Sequence, residues 1–294
     1  VRLSVNAHAE LVERTPYDTG WARANWVPSL TNPFVGLAGS PRGVSKAEAE
    51  EDLVEFIKQA WHVIEPEQPY CHGWHIDFIC AHLEAITREE ILDDGRYYNR
   101  LLTNVPPGTM KSLLIGVFWP AWEWGPRNMP SMRYVCASHS LDLAIRDSLR
   151  MRRLVTDEWY QGHWGDRVNI TGDQNAKAKF ETTATGSRQA CAFSGITGYR
   201  GDRVIIDDPH SVDDANSDAK RESVTKLFKE AVTSRLNNPD KSAIVVVMQR
   251  LHEKDISGHI LNDIGGWEHI CIPAEWDGKS RRTVLGPYDP RRTK

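Results

Sequence analysis

The sequence has 294 residues, of which 40% are hydrophobic and 26% are charged, and its formal net charge is −4 at pH 7. This composition is typical of a globular protein and excludes a collagen, a coiled coil or a disordered chain for most of its length. No apolar run reaches the length of about 18 residues that a membrane-spanning helix needs. The 5 cysteines are scattered and odd in number, which favours reduced thiols. Because the net charge is slightly negative, any contact with nucleic acid has to come from local basic patches.

The chain changes character near residue 46. Residues 1–45 are rich in Gly, Pro, Ser and Asn and show no sustained periodicity, which predicts an extended or partly disordered arm. Apolar residues then recur at helical spacing, which predicts one helix over 47–61 and a second over 71–86. We therefore expect the folded domain to begin at residue 46.

From residue 100 onward, strands alternate with helices. Apolar runs predict strands over 100–105, 132–138, 203–207, 242–248 and 267–272, and helical patterns predict helices over 111–124, 140–155 and 255–261, with another around 224–232. Pro120 is expected to kink the first of these helices or to end it early. A hairpin is predicted over 180–193, with Gly186 near its turn.

The alternation of apolar strands and helices predicts an α/β fold. Strands that are apolar throughout indicate a mainly parallel central sheet that is flanked by helices, and the hairpin would be a small insertion in it. The domain would span residues 46–275. Residues 276–294 lack a core pattern and are predicted to be a linker.

The segment NVPPGTMKS, from Asn104 to Ser112, lies between the first strand and the first helix of this pattern. A phosphate-binding loop needs main-chain N–H groups around a triphosphate, a lysine at the β- and γ-phosphates, and a hydroxyl on Mg²⁺. Lys111 and Ser112 supply the last two at a helix start, where the helix dipole also favours phosphate. Val105 and Met110 occupy the two glycine positions of the strict motif, so an ordinary strand–turn–helix is the alternative interpretation.

Two carboxylates, Asp207 and Asp208, follow the buried run VII. An ATPase needs one acid for the Mg²⁺ shell and another to activate water. Ligands of parallel sheets bind at the carboxyl ends of the strands, which is the edge where the loop before Lys111 would also lie. The alternative is that both acids cap the next segment.

Other polar residues extend this candidate site. Gln249 follows the strand over 242–248 and would sense the γ-phosphate, with a simple strand exit as the alternative. Three arginines are candidates to stabilise charge in the transition state, either within the chain or from a neighbouring copy: Arg200, Arg203 and Arg235. A further stripe on one helix face would contact a phosphate backbone or simply be solvated: Arg146, Arg150 and Arg153.

Two patterns resemble metal sites but lack their spacing. The segment 252–259, HEKDISGH, has Ile256 where a zinc-protease helix has its second histidine. The residue types of a zinc site, without its usual paired spacing, occur at Cys71, His72, His75 and Cys80. We therefore expect neither segment to bind zinc.

Four segments, in this order, resemble the large terminase subunit of tailed bacteriophages: WHIDFICAHLEAIT, LLTNVPPGTMKSLLIGVFWPAWEWG, TGYRGDRVIIDDPH and VVVMQRLHEKDISGHIL. The resemblance extends over roughly residues 60–275, and the four segments themselves lie between Trp74 and Leu261. The resemblance implies the N-terminal ATPase domain of the genome-packaging motor, a P-loop NTPase of the additional-strand (ASCE) class, with ATP and Mg²⁺ as its cofactors.

The resemblance also implies a role for each motif residue. Lys111 would be the Walker A lysine, Ser112 the Mg²⁺ ligand and Asp207 the Walker B acid. Asp208 would be the catalytic base, and Gln249 the coupling residue. The nucleotide would bind along the loop and near the coupling residue, at Pro107, Gly108, Thr109, Met110, Lys111, Ser112 and Gln249.

The sequence departs from the family pattern at two places. The loop has Gly108 and Thr109 where terminases often carry an arginine, so that arginine's role would pass to one of three others: Arg200, Arg235 or Arg250. Asp208 also stands where the family usually has a glutamate, which is one methylene longer.

For the whole protein, the resemblance implies packaging of double-stranded DNA into a procapsid. The expected partners are the portal of the procapsid, the small terminase subunit and further copies of the chain in a ring, although it would be monomeric in solution. The expected location is the cytoplasm of the infected bacterial host cell, with no membrane contact. An RNase H-like nuclease domain would follow the linker and is not in this sequence, so no nuclease activity is expected.

Three alternatives remain open at this point. One is a helicase- or recombinase-like P-loop ATPase, and another is a degenerate P-loop scaffold that binds DNA without turnover. The third is a metal-dependent nuclease that uses an acidic cluster: Asp207, Asp208, Asp213 and Asp214.

Overall fold

The computed structural model describes residues 45–287 and 289–291, so the arm predicted over 1–45 lies almost entirely outside the described residues. The single helix predicted over 47–61 is wrong in one respect, because it is two helices, α1 (Lys46–Glu51) and α2 (Leu53–Ile64). They are separated by Asp52, which is extended (φ −127°, ψ 120°) and accepts a hydrogen bond from the Glu55 N–H at 2.9 Å. Asp52 thus ends α1 and caps α2.

The remaining helices are α3 (Trp74–Thr87), α4 (Lys111–Leu113), α5 (Trp119–Trp124), α6 (Leu141–Thr156), α7 (Glu158–Trp164), α8 (Val212–Ala215), α9 (Asp218–Ala231) and α10 (Ile256–His259). Short 3-10 segments occur at Phe193–Gly198 and Val232–Arg235. The strands are β1 (Arg100–Asn104), β2 (Arg133–Ser138), β3 (Ile170–Asn175), β4 (Lys179–Thr182), β5 (Ser187–Ala192), β6 (Arg203–Asp207), β7 (Ala243–Met248), β8 (Glu268–Cys271), β9 (Arg282–Thr283) and β10 (Gly286–Pro287).

Eight of the described strands form one sheet, in the order β3-β4-β5-β2-β6-β7-β1-β8. From β5 to β8 all neighbours are parallel, whereas β3, β4 and β5 pair antiparallel. The mainly parallel sheet with a hairpin insertion is therefore confirmed, and β3 is a strand that the sequence pattern did not predict. β7 lies between β1, which precedes the loop, and β6, which ends at Asp207 and is followed by Asp208. The sheet therefore has the additional strand of the ASCE class.

The sheet is covered on both faces, as its apolar strands predict. Alternate residues of each central strand join two separate hydrophobic clusters: in β6, Ile205 packs with α2, α3 and α5, whereas Val204 and Ile206 pack with α9 and α10. The first cluster also contains Trp119, Trp122 and Trp124, which are fully buried. A parallel sheet enclosed in this way exposes only its strand ends, and these are where a site can form.

The helix that follows the loop does not end at Pro120, so the expected early end is wrong, whereas the expected kink remains a prediction. α4 continues through a π-helical turn, Leu114–Phe118, into α5, which runs to Trp124. Proline has no N–H to donate to the carbonyl four residues earlier, that of Gly116. The buried guanidinium of Arg188 on β5 donates to this carbonyl instead, at 2.5 Å. A side chain from the hairpin insertion thus satisfies the carbonyl that the proline leaves free.

The described part of the predicted linker contacts the domain. β9 and β10 form a two-stranded antiparallel hairpin, and the hydroxyl of Thr283 lies 3.1 Å from Nε2 of the buried His82. Among the described residues, no helix has the length and apolarity to cross a membrane. The division of the chain at residues 46 and 276 remains a prediction.

Candidate active site

The register of the sheet brings four strand ends into one row. Thr103 of β1 lies beside Val247 of β7, which lies beside Asp207 of β6, which lies beside Ser138 of β2. Because these strands are parallel, the residues that follow them all emerge at the same carboxyl edge of the sheet. The polar residues predicted from separate parts of the sequence therefore meet there.

The loop after β1 turns through two left-handed residues before α4 begins. Gly108 has φ +84° and Met110 has φ +60°, and the hydroxyl of Thr109 donates to the carbonyl of Pro106 at 2.9 Å. Met110 occupies a glycine position of the strict motif and adopts a conformation that favours glycine, while its side chain is buried. Pro107 lies between Pro106 and Gly108 on this turn. The loop keeps a left-handed turn at the residue before Lys111, although that residue is not glycine.

Lys111 and Asp208 form an ion pair at the centre of the site. The lysine Nζ lies 2.7 Å from Oδ1 and 2.6 Å from Oδ2 of the aspartate. The lysine side chain is 8% exposed and the aspartate 27%. The main-chain N–H of Gln249 also donates to Oδ1, at 3.1 Å, so Lys111, Asp208 and Gln249 lie together at the carboxyl edge.

Asp207 lies deeper than Asp208. Burial, and next the negative charge of Asp208, raise the pKa of its carboxyl to about 7, and the nearby Lys111 and Ser112 offset this only in part. Its Oδ1 is inaccessible, and none of the described residues donates a hydrogen bond to it. A buried carboxylate oxygen without a donor, beside a serine hydroxyl, fits a hard cation such as Mg²⁺.

His139 belongs to this edge although sequence reasoning did not identify it. Its Nδ1 lies 2.8 Å, and its main-chain N 3.2 Å, from the carbonyl oxygen of Asp208. Histidine has no periodic signature in a loop, so the only signal was its place directly after the buried strand β2.

The structure does not bring Arg200 and Arg235 to this edge. The Arg200 guanidinium donates to the carbonyl of Leu236 at 2.7 Å, and the Arg235 guanidinium donates to the carbonyl of Thr197. Arg235 also accepts the N–H of Gly201 on its carbonyl, just before β6 begins. The two ends of β6 are about 13 Å apart at the usual rise of a strand. Both arginines therefore lie at the amino edge of the sheet, opposite the loop.

Two other arginines differ in position. Arg203 is buried against Glu123, with Nη2 2.8 Å from Oε1, and is not available to a ligand. Arg250 follows Gln249 at the carboxyl edge, where its Nε lies 3.3 Å from Oδ2 of the buried Asp255. Of the arginines considered from the sequence for the missing loop arginine, Arg250 is the one next to the site.

The remaining motifs do not form metal sites. Across residues 45–287 and 289–291, no group of three or more His, Cys, Asp or Glu residues could hold a metal ion. His72 pairs with Asp77 at 2.8 Å, whereas burial lowers the pKa of His75 to about 4 beside the main chain of Thr109. Asp214, a member of the proposed acidic cluster, pairs with Lys220 at 2.9 Å.

The strand order and the loop define a P-loop NTPase fold of the additional-strand class, with the lysine, the serine and both acids at one edge. Two solved structures are similar to this chain. The HK97 bacteriophage large terminase matches with a TM-score of 0.49 and 15% sequence identity, over 78% of this chain and 45% of that chain. An arginine-to-alanine variant of the Thermus phage P74-26 large terminase ATPase domain matches with a TM-score of 0.37 and 14% identity, over 65% of this chain and 69% of that chain.

Both neighbours are large terminases, the family that the four sequence segments resemble. This chain spans less than half the length of the HK97 protein. No family model and no curated protein matches the sequence. The fold assignment rests on the strand order of this chain.

Proposed function

We propose that this chain is the ATP-hydrolysing motor domain of a viral genome-packaging terminase. The observation that carries the ATPase proposal is the convergence of Lys111, Ser112, Asp207 and Asp208 from two distant parts of the sequence at one sheet edge. The packaging role rests on the four sequence segments. In that role the chain would act on double-stranded DNA. Its partners would be the portal, the small terminase subunit and further copies of the chain in a ring, and its location would be the cytoplasm of the infected bacterial cell.

In this proposal the loop from Pro107 to Ser112 binds the phosphates of ATP. Ser112 and Asp207 would hold Mg²⁺, which neutralises charge on the phosphates when bound. Lys111 exchanges Asp208 for the phosphates, and the freed carboxylate of Asp208 then orients the attacking water. The main-chain N–H of Gln249 donates a hydrogen bond to Asp208, so Gln249 couples the release of the Asp208 carboxylate to β7.

The test is a phosphate-release assay on the wild-type chain and on Lys111→Ala, with the exposed Lys226→Ala on α9 as the matched control. We expect Lys111→Ala to lower the rate by at least roughly a hundredfold, as loss of a transition-state charge contact does. Lys226→Ala should have the wild-type rate. Equal rates for the wild type and Lys111→Ala would show that the loop before Lys111 does not bind the phosphates of ATP, provided that circular dichroism shows both proteins to be folded.

The packaging role needs a separate measurement, because other P-loop ATPases also act on DNA. We expect linear double-stranded DNA to stimulate turnover without strand separation of a labelled duplex. Unwinding of the duplex would favour the helicase alternative, and stimulation by single strands alone would favour the recombinase alternative.

A further inference from the structure

The backbone of Asp208 is strained and is held by several neighbours. Its φ is +42°, a left-handed conformation that non-glycine residues rarely adopt. Its N–H donates to the carbonyl of Val247 at 2.9 Å, its Oδ1 accepts from the N–H of Gln249, and its carboxylate binds Lys111. Such a conformation persists only where its surroundings determine it.

The carbonyl of Asp208 accepts two hydrogen bonds, and His139 donates both. One comes from the main-chain N at 3.2 Å and the other from Nδ1 at 2.8 Å. Because a carbonyl oxygen only accepts, Nδ1 must carry the proton, and Nε2 is then unprotonated in the neutral ring. The imidazole thus links the end of β2 to the main chain of Asp208, whose side chain is the proposed catalytic carboxylate.

This contact matters most when the ion pair opens. In the proposed function, Lys111 leaves Asp208 for the phosphates, so the carboxylate loses its strongest partner at the moment when it must be in place. The hydrogen bonds from His139 fall on the main chain and do not compete with that exchange. His139 is itself exposed, so its side chain contributes little by burial.

We infer that His139 is a positioning residue, whose Nδ1–H holds Asp208 in its left-handed conformation during ATP hydrolysis. This inference rests on the proposed function. The Nδ1–H acts through the Asp208 main chain, so its loss should lower kcat. The KM for ATP should stay within twofold, because the loop after β1 binds the nucleotide.

Three substitutions separate the two ring nitrogens. The side-chain amide of His139→Asn can place an N–H near the position of Nδ1, that of His139→Gln places one near Nε2, and His139→Ala has neither. One hydrogen bond corresponds to a rate change of roughly threefold to tenfold. We expect this loss of kcat in the Ala and Gln variants and recovery of most of the rate in the Asn variant.

His62→Ala is the matched control. His62 is also exposed, and its Nδ1 also contacts a main-chain carbonyl, that of Gln59, at 2.7 Å, but on α2. We expect its kcat to equal that of the wild type. Wild-type kcat in His139→Ala, or an Asn variant as slow as the Ala variant, would overturn the inference. Recovery of the rate in the Gln variant and not in the Asn variant would overturn it as well, and would indicate that Nε2 is the nitrogen that acts.

Nitrogen-15 NMR of the imidazole gives a readout that does not depend on turnover. We expect the Nδ1–H tautomer for His139, assigned by its absence in His139→Asn. The Nε2–H tautomer would overturn the inference even in an active enzyme. If the wild type does not hydrolyse ATP, or hydrolyses it no faster than Lys111→Ala, the proposed function itself fails and the positioning role of His139 in hydrolysis fails with it.

Discussion

Nζ of Lys111 lies within 2.7 Å of both carboxylate oxygens of Asp208, although the two residues are 97 positions apart in the sequence. The pair joins the start of the helix after the loop to the end of β6. Because the lysine is 8% exposed, water screens the pair less than it would a surface ion pair. In the proposed function, a nucleotide phosphate therefore has to compete with Asp208 for the same ammonium group.

Asp208→Asn should separate binding from hydrolysis. The neutral amide competes less for Lys111, so we expect a fluorescent ATP analogue to bind several-fold more tightly. Loss of the proposed base should lower kcat by at least roughly a hundredfold. Asp208→Glu should keep measurable activity, since a longer carboxylate still reaches a water molecule. Asp213→Asn, an exposed acid nearby, is the control. Hydrolysis by Asp208→Asn at the wild-type rate would show that another residue is the base.

The raised pKa of Asp207 predicts a pH dependence of stability in metal-free protein. Its carboxyl has a pKa of about 7 when folded, against an ordinary value of 3.8, so the folded state binds the proton more tightly. The free energy of unfolding should therefore fall as the pH rises from about 4 to about 7, by about 1.4 kcal/mol at most for each pKa unit.

Asp207→Asn removes this titration while keeping the shape of the side chain. Thermal unfolding in EDTA should show the variant to be more stable than the wild type at pH 8 and equally stable near pH 4. Taking the difference cancels the titrating groups that do not interact with Asp207. A difference in stability that is the same at every pH would contradict the raised pKa.

With Mg²⁺ and ATP present, we expect Asp207→Asn to lose its metal-dependent hydrolysis.

The sequence predicts the strands of the site much better than its contacts. The apolar runs of β1, β6 and β7 predict buried parallel strands, and their carboxyl ends had to share one edge. Nothing in local periodicity indicates that Lys111 pairs with Asp208 or that His139 donates to Asp208. These contacts depend on strand order, which brings distant segments together. The amino-edge position of Arg200 follows from its place just before the strand predicted over 203–207, whereas that of Arg235 depends on contacts that only the structure shows.

Glu123 and Arg203 form a second ion pair that locks the helix after the loop to the first residue of β6. Glu123 is fully buried and also accepts hydrogen bonds from Tyr134 at 2.7 Å and from Thr87 at 2.9 Å. Glu123→Gln would leave the buried guanidinium of Arg203 without its counter-charge. We expect this to lower the free energy of unfolding by about 3–5 kcal/mol, as measured by urea denaturation.

The exposed ion pair of Lys241 and Glu89 is the control for Glu123→Gln. Its Nζ and Oε2 atoms are 2.6 Å apart. Glu89→Gln should cost about 0–1 kcal/mol, because solvent screens a surface ion pair. Similar small effects of both substitutions would show that the buried network is not needed for stability.

Arg200 and Arg235 should not act within their own chain, because they lie at the amino edge of the sheet. At dilutions where the chain is monomeric by light scattering, Arg200→Ala and Arg235→Ala should hydrolyse ATP at the wild-type rate. A loss that develops only at concentrations where copies assemble would support the role in a neighbouring site. A loss already present in the monomer would contradict the placement of both residues.

The acids after β6 are not arranged to cleave DNA. A two-metal nuclease needs carboxylates that hold two ions about 4 Å apart. Asp208 is engaged by Lys111 and Asp214 by Lys220, and the described residues contain no group of three acids, histidines or cysteines able to hold a metal. We therefore expect no nicked or linear product when the chain is incubated with supercoiled plasmid and Mn²⁺.

Lys111→Ala and Asp207→Asn distinguish a contaminating nuclease from an intrinsic one on the same gel. A contaminating nuclease would cut the plasmid equally in the wild type, Lys111→Ala and Asp207→Asn. An intrinsic nuclease that uses the acids after β6 would cut in Lys111→Ala, because it does not need the loop lysine, and would stop cutting in Asp207→Asn. That second result would show that Asp207 serves metal-dependent DNA hydrolysis, and the ATPase proposal for this sheet edge would have to be abandoned.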